Sequence, residues 1–199
     1  MGPAQTIETL LSTLGGDGLF VYADKVLEAL GDASVPYLID ALKNPSGKDP
    51  LRCQRLSVMV LGRLKAKEAV QPLRDMLREA LSTRDTELGA KVVIALGQIG
   101  DTSALPELLA AAQSTDFHQQ VNAAQGLEYL GDPRAEPLLL ELLTNHPDPN
   151  IRYSAARALS TFGTASAIPV LEQRLQLETN KGTWGQIRTT LQTLRQKAR

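Results

Sequence analysis

The 199-residue chain has one cysteine, Cys53, so it can form no intrachain disulfide and no cysteine-based metal cluster. Its only histidines are His118 and His146, in no H-E-x-x-H or repeated His-Glu arrangement, and no metal or cofactor is expected. Gly47-Lys48 has no glycine five residues before it, so it is not a phosphate loop, and Gly15-Gly16-Asp17-Gly18 follows no strand and reads as a helix breaker. No catalytic residue stands out. No apolar run approaches the roughly 18 residues a membrane span needs. Met1 to Leu11 has neither a basic start nor an apolar stretch, so a cytoplasmic setting is expected. Lys and Arg total 21 against 22 Asp and Glu, with a pI of about 6.1, which argues against a general nucleic-acid surface. One local exception is the acid-free stretch 181–199, with Lys181, Arg188, Arg195, Lys197 and Arg199. Cations near the end of a last helix suit its dipole.

What the chain has is a repeat. Aromatics are 4% of residues within a 43% hydrophobic fraction, so Leu, Ala, Val and Ile must fill the core. Leu27 to Asp32, Leu96 to Asp101, Leu127 to Asp132 and Leu159 to Thr164 align, with Leu61 to Ala66 as a fifth copy carrying Lys65 in place of Gly. The anchors 31, 65, 100, 131 and 163 recur every 31–35 residues. Each Gly predicts a left-handed helix stop. Pro36, Pro72, Pro106, Pro137 and Pro169 then fall in the first turn of a helix A, where proline sacrifices no hydrogen bond. Asp49, Asp85, Asp116 and Asp148 cap a helix B, and Asp116 with Gln119 suggests a capping box.

The expectation is an all-α, right-handed α-solenoid of about six two-helix repeats forming one domain, with pairs near 4–30, 34–64, 67–99, 103–130, 134–162 and 166–197. The first pair is expected as Thr6–Leu14 and Leu19–Leu30, the last helix as Thr183–Lys197, and Asn44–Asp49 as the longest loop.

Asp148-Pro149-Asn-Ile-Arg152-Tyr-Ser-Ala155-Ala156-Arg-Ala158-Leu159 resembles a HEAT repeat. The Gly-Asp-x-x-Ala-x-Pro turns, Gly100 to Pro106 and Gly131 to Pro137, resemble the variant named after phycobilisome lyases. The resemblance covers nearly the whole chain and is specific for fold, not for function. It implies that the B helices line a concave face.

With the B helices aligned on Leu27, Leu61, Leu96, Leu127, Leu159 and Leu191, three columns should point outward: −5, −2 and +2. They bring together Tyr22, Lys25, Leu56, Met59, Arg63, Lys91, Ile94, Gln98, Asn122, Gln125, Tyr129 and Arg157. Leu56, Met59 and Ile94 would be apolar anchors, and Arg63, Lys91 and Arg157 would set the charge. No acid falls in these columns, so an acidic or amphipathic segment of another protein is the expected partner. One reading is a protein-binding adaptor or scaffold. The alternative, which the resemblance implies, is a subunit of a phycobilin lyase or a phycobiliprotein-handling factor, with Arg63, Lys91 and Arg157 meeting the propionates of an open-chain tetrapyrrole and Tyr22 or Tyr129 stacking on it. A third is anion or nucleic-acid binding.

Overall fold

The computed structural model describes residues 2–13, 20–45 and 49–199. The glycine-rich turn expected at 15–18 and the Gly47-Lys48 pair lie outside the described residues. Two compact units divide the chain, Met1–Asp101 (unit 1) and Thr102–Arg199 (unit 2).

Unit 1 holds α1 (Pro3–Thr13), α2 (Phe20–Leu30), α3 (Val35–Lys43), α4 (Pro50–Arg63), α5 (Val70–Thr83) and α6 (Thr86–Ile99). Unit 2 holds α7 (Leu105–Ala112), α8 (Phe117–Leu130), α9 (Glu136–Asn145), α10 (Pro149–Phe162), α11 (Ile168–Leu177) and α12 (Lys181–Lys197). The described residues contain no strand, and the fold is all-α, a succession of helix pairs as the repeat predicts. α1 starts at Pro3 rather than Thr6, and α12 at Lys181 rather than Thr183.

The acidic caps form as the sequence predicts. Asp49, Asp85 and Asp116 accept from the backbone N–H three residues on, at 3.0, 3.0 and 2.8 Å, and Asp148 from Asn150 at 2.7 Å. Each satisfies an amide that the first helical turn leaves without a partner. Asn180 does the same for Thr183 at 3.0 Å, a cap the sequence reading missed. The Asp116 capping box is only half made. Ser114 Oγ already accepts from the Asp116 N–H, and the buried Gln119 Nε2 has no hydrogen-bond partner.

The stops are more varied than a glycine rule predicts. Gly31, Gly100 and Gly131 are left-handed, as is Lys65 at φ 54°. There Ala66 N–H donates to Leu61 O, the wrap that closes a helix on a left-handed residue. Arg84, also left-handed, ends α5. Gly163 departs from the expectation: its φ is −57°. Glycine is needed there for room, because a Cβ would stand 2.4 Å from Leu159 O. A single 3₁₀ turn precedes helices α3, α5, α7, α9 and α11, as at Thr102–Ala104 before α7.

Within each unit the even helices pack side by side, α2 on α4 and α4 on α6 in unit 1, α8 on α10 and α10 on α12 in unit 2, with odd helices against them. Leu27, Leu61 and Leu73 are fully buried in unit 1, as are Leu108, Leu127, Leu139 and Leu159 in unit 2. Each such leucine contributes about 1.5–3 kcal/mol of burial. The even helices approach closely: a Cβ on Gly62 of α4 would lie 2.8 Å from the Ala95 Cα of α6.

Candidate functional site

An even helix with even neighbours on both sides keeps only a narrow stripe in solvent. That stripe is made by two of the three expected columns. Positions −2 and +2 contain no buried residue in any of the six even helices. Position −5 sits at the margin, and on α4 and α10, flanked on both sides, it is covered: Leu56 is 1% exposed and Ser154 is 6% exposed. Leu56 is therefore a core residue, not a partner anchor. α4 packs between α2 and α6, and a side chain at the margin of its stripe is covered there.

The stripe of unit 1 consists of Lys25 and Ala29 on α2, Met59 and Arg63 on α4, and Ile94 and Gln98 on α6. Met59, Ile94 and Gln98 are half-buried and the others exposed. Tyr22, at 64% exposure, stands beside it. Arg63 crosses from α4 to α2, with Nη1 donating to Glu28 Oε1 at 2.6 Å and to Asp24 Oδ2 at 3.2 Å. The hydrogen bond Arg63 donates to Glu28, outweighing the cost of burial and aided by the one to Asp24, raises the Arg63 pKa. Arg63 Nη2 also lies 3.5 Å from Met59 Sδ. Lys91 Nζ is 3.8 Å from Glu87, which pairs with Arg55 at 2.7 Å as well.

In unit 2 the stripe is Gln125 and Tyr129 on α8, Arg157 and Thr161 on α10, and Thr189 and Thr193 on α12. Here the polar groups other than Arg157 are turned to their own helices. Gln125 Nε2 donates to Tyr129 Oη at 3.2 Å, and Asn122 Nδ2 to His118 O at 2.6 Å. Thr189 donates to Gly185 O and Thr193 to Thr189 O. Arg157 Nε meets Glu128 Oε2 at 2.8 Å.

The three cations expected to set the charge preference thus each carry an acid: Asp24 and Glu28, Glu87, and Glu128. The columns missed Asp24, Glu28 and Glu128 because they lie one step beside the stripe, and Glu87 because it lies one turn before the first column on the same face. The expectation of an acidic ligand loses its basis in free positive charge. What remains on the unit 1 stripe is the half-buried apolar surface of Met59 and Ile94, with exposed Lys25 as a cation whose ammonium meets no carboxylate among the described residues.

Two open depressions lie elsewhere in unit 1. One, of about 460 Å³, is lined by Leu42, Gln54, Pro72, Met76 and Leu88, and the other, of about 560 Å³, by Glu8, Leu11, Tyr37 and Asp40 among others. Neither includes a residue of the stripe. Cys53 is fully buried. Among the described residues, no group of three or more His, Cys, Asp or Glu side chains is gathered for a metal ion, and no helix is long and apolar enough to cross a membrane.

The chain matches the family model for HEAT repeats over residues 35–119 and 106–186. It is 32% identical over 109 residues to the phycocyanobilin lyase subunit alpha of Picosynechococcus sp., covering 49% of this chain and 41% of that protein. It is 33% identical over 134 residues to the subunit of the same name from Nostoc sp., covering 58% and 48%. The chain spans less than half the length of these relatives. Among solved structures, an engineered protein superimposes with a TM-score of 0.63 at 20% identity, covering 98% of each chain. Human deoxyhypusine hydroxylase gives 0.57 at 18%, covering 97% and 75%. The complex of CpcE and CpcF of phycocyanin lyase from Nostoc sp. gives 0.52 at 22%, covering 96% and 83%. At these identities the structural likeness is one of fold.

Proposed function

The chain belongs to the HEAT-repeat family, and from that premise we propose that it works as a subunit of a bilin lyase or a related factor that handles phycobiliproteins. One observation carries the reading: 32–33% identity to two phycocyanobilin lyase alpha subunits over 109 and 134 residues. A repeat fold alone supports only a binding surface; the relatives give that surface a client.

In this reading the chain supplies contact and placement, and the reacting thiol belongs to the client. Cys53 cannot be that thiol, being fully buried. The client meets the even-helix stripe of unit 1, where Met59 and Ile94 offer apolar contact and the Arg63–Asp24–Glu28 cluster offers a fixed pattern of both charges. Apolar interface centres ringed by polar groups dominate binding energy in protein complexes. The broader role of a protein-binding adaptor is contained in this one, since a lyase subunit must first hold its client. A cytoplasmic setting is part of the same proposal.

The test is retention of purified apo-phycocyanin and holo-phycocyanin on the immobilised chain. Retention of either supports the reading, and retention of neither contradicts it. Charge reversal at Lys91→Glu with Arg157→Glu should change retention only a few-fold. Both cations already spend their charge on neighbouring acids, and exposed pairs of this kind are worth about 1 kcal/mol or less.

A further inference from the structure

The last helix carries a feature that the stripe does not use. Among the described residues, the even helices hold seven arginines. Six of them, Arg52, Arg55, Arg63, Arg152, Arg157 and Arg195, meet a carboxylate at 2.5–3.8 Å. Arg188 on α12 has no such partner. Its guanidinium carbon lies 5.6 Å from the centroid of the Trp184 ring, and Trp184 is itself 39% exposed. Lys181, one turn before Trp184, is also exposed, and 181–199 contains no acid.

A second observation concerns Gly185. Glycine is the poorest helix former after proline, and a helix interior normally avoids it. Apart from its chain neighbours and the nearby backbone of its own helix, no atom lies within 4 Å of the place a Cβ would occupy at Gly185, so packing does not demand glycine there. Lys181, Gly185 and Arg188 follow the i, i+4, i+7 spacing and share one face. The result is a strip of bare backbone beside an indole plane, with a cation at each end about 10 Å apart along the axis. Glycine permits just such close approach of a ligand to backbone.

We propose that this face of α12 binds an open-chain tetrapyrrole through its propionates. Arg188 pairs with one propionate in the two-pronged geometry that suits guanidinium and carboxylate. Lys181 meets the second, and a pyrrole plane lies over Gly185 against the Trp184–Arg188 stack. The inference rests on the bilin-handling reading and assigns its small-molecule contact to residues outside the stripe. A nucleic acid fits less well. Tight backbone binding gathers many cations, and stacking along a strand uses several aromatics, whereas this face has one tryptophan and two cations on a chain of net charge −1.

Trp184 is the only tryptophan, so its emission reports this face without labelling. The experiment titrates the full chain with phycocyanobilin, following Trp184 emission and bilin absorbance together. Wild type should bind. Arg188→Gln should weaken binding about tenfold, as expected for loss of one charge-assisted pair, and the dimethyl ester of phycocyanobilin should bind correspondingly weakly to wild type. Gly185→Ala should raise the thermal midpoint yet weaken binding, a pairing that a merely structural glycine would not give. Equal binding of phycocyanobilin by wild type and Arg188→Gln, or equal binding of acid and ester, overturns this site while leaving the bilin reading intact. No binding by wild type also overturns the site, and the lyase reading is then judged on apo-phycocyanin retention, which requires no bilin. Quenching by a single-stranded oligothymidylate that depends on Arg188, without phycocyanobilin binding, overturns the site in favour of nucleic acid.

Discussion

The two units are built from the same repeat, yet they spend their polar residues differently. Both units carry one ion-paired arginine that bridges even helices on the stripe, Arg63 from α4 to α2 in unit 1 and Arg157 from α10 to α8 in unit 2, but only unit 1 sets half-buried Met59 and Ile94 on the same stripe. Unit 2 also holds the most buried ion pair of the described residues. Arg152 at the start of α10 meets Glu178, just past α11, through two hydrogen bonds of 2.8 and 2.7 Å, with side chains 8% and 0% exposed. Arg152 also donates to the carbonyls of His146 and Pro147, and Arg174 and the Asn180 N–H complete the shell of Glu178. A loop before α10 and a loop before α12 are thereby locked together. The contrast teaches that a repeat leaves its surface free to vary: one unit has apolar side chains on its stripe, and the other has a hydrogen-bonded stripe and a buried clamp between two loops.

The largest expected effect breaks the clamp. Arg152→Ala leaves the Glu178 carboxylate buried without its main partner, which should cost about 3–5 kcal/mol. Urea unfolding followed by Trp184 emission measures this, because the only tryptophan sits in unit 2. A loss under about 1 kcal/mol would mean that the pair is not a clamp.

Acid should find the same weak point. The hydrogen bond from Arg152, outweighing the cost of burial, holds the Glu178 carboxyl at about 2 against an ordinary 4.5. A carboxylate with a lowered folded-state pKa contributes stability that is complete above its unfolded value. That stability is lost as pH falls from about 4.5 toward about 2, and the loss amounts to roughly 3 kcal/mol. Glu178→Gln should flatten this part of the pH profile.

Gly62→Val tests the close approach of α4 and α6 in unit 1. The new side chain would overlap Ala95, and overpacking of this kind costs about 1–3 kcal/mol. A lower thermal midpoint by circular dichroism is expected, and an unchanged one would argue that α4 and α6 can separate freely.

The smallest effect concerns the stops. Lys65→Gly should stabilise by up to about 1 kcal/mol, since a non-glycine residue at φ 54° carries strain. Gly131→Val should do the opposite by a similar or larger amount.

These contrasts also mark what was legible in the sequence. Local signals were readable: the aspartate caps, the prolines in first turns and the Leu-Gly rhythm act over three or four residues, and the chain folded as they direct. Lys65 kept its stop because the surrounding helix dictates the turn even without glycine. Gly163 looked like its homologues but serves room rather than handedness, a distinction only backbone geometry makes. The Arg152–Glu178 pair spans 26 residues and has no periodic signature. On the stripe, the outward columns −2 and +2 were legible from helical spacing. The Glu87–Lys91 pair lies within α6 at i, i+4 and was open to the same projection, one turn before the columns begin. The burial of Leu56 and the acids that meet Arg63 and Arg157 involve neighbouring helices, which a single-helix projection does not contain.

The central claim is that the apolar stripe of unit 1 recognises a phycobiliprotein client while the polar stripe of unit 2 is secondary. Its most direct test compares Met59→Asp with Thr161→Asp for binding of apo-phycocyanin, with circular dichroism confirming that both variants keep their helical content. A charge placed at an interface centre should weaken binding tenfold or more, about 1.4 kcal/mol. The account predicts that loss for Met59→Asp and a change within about twofold for Thr161→Asp. Equal binding by Met59→Asp and wild type, or the larger loss at Thr161→Asp, would contradict it.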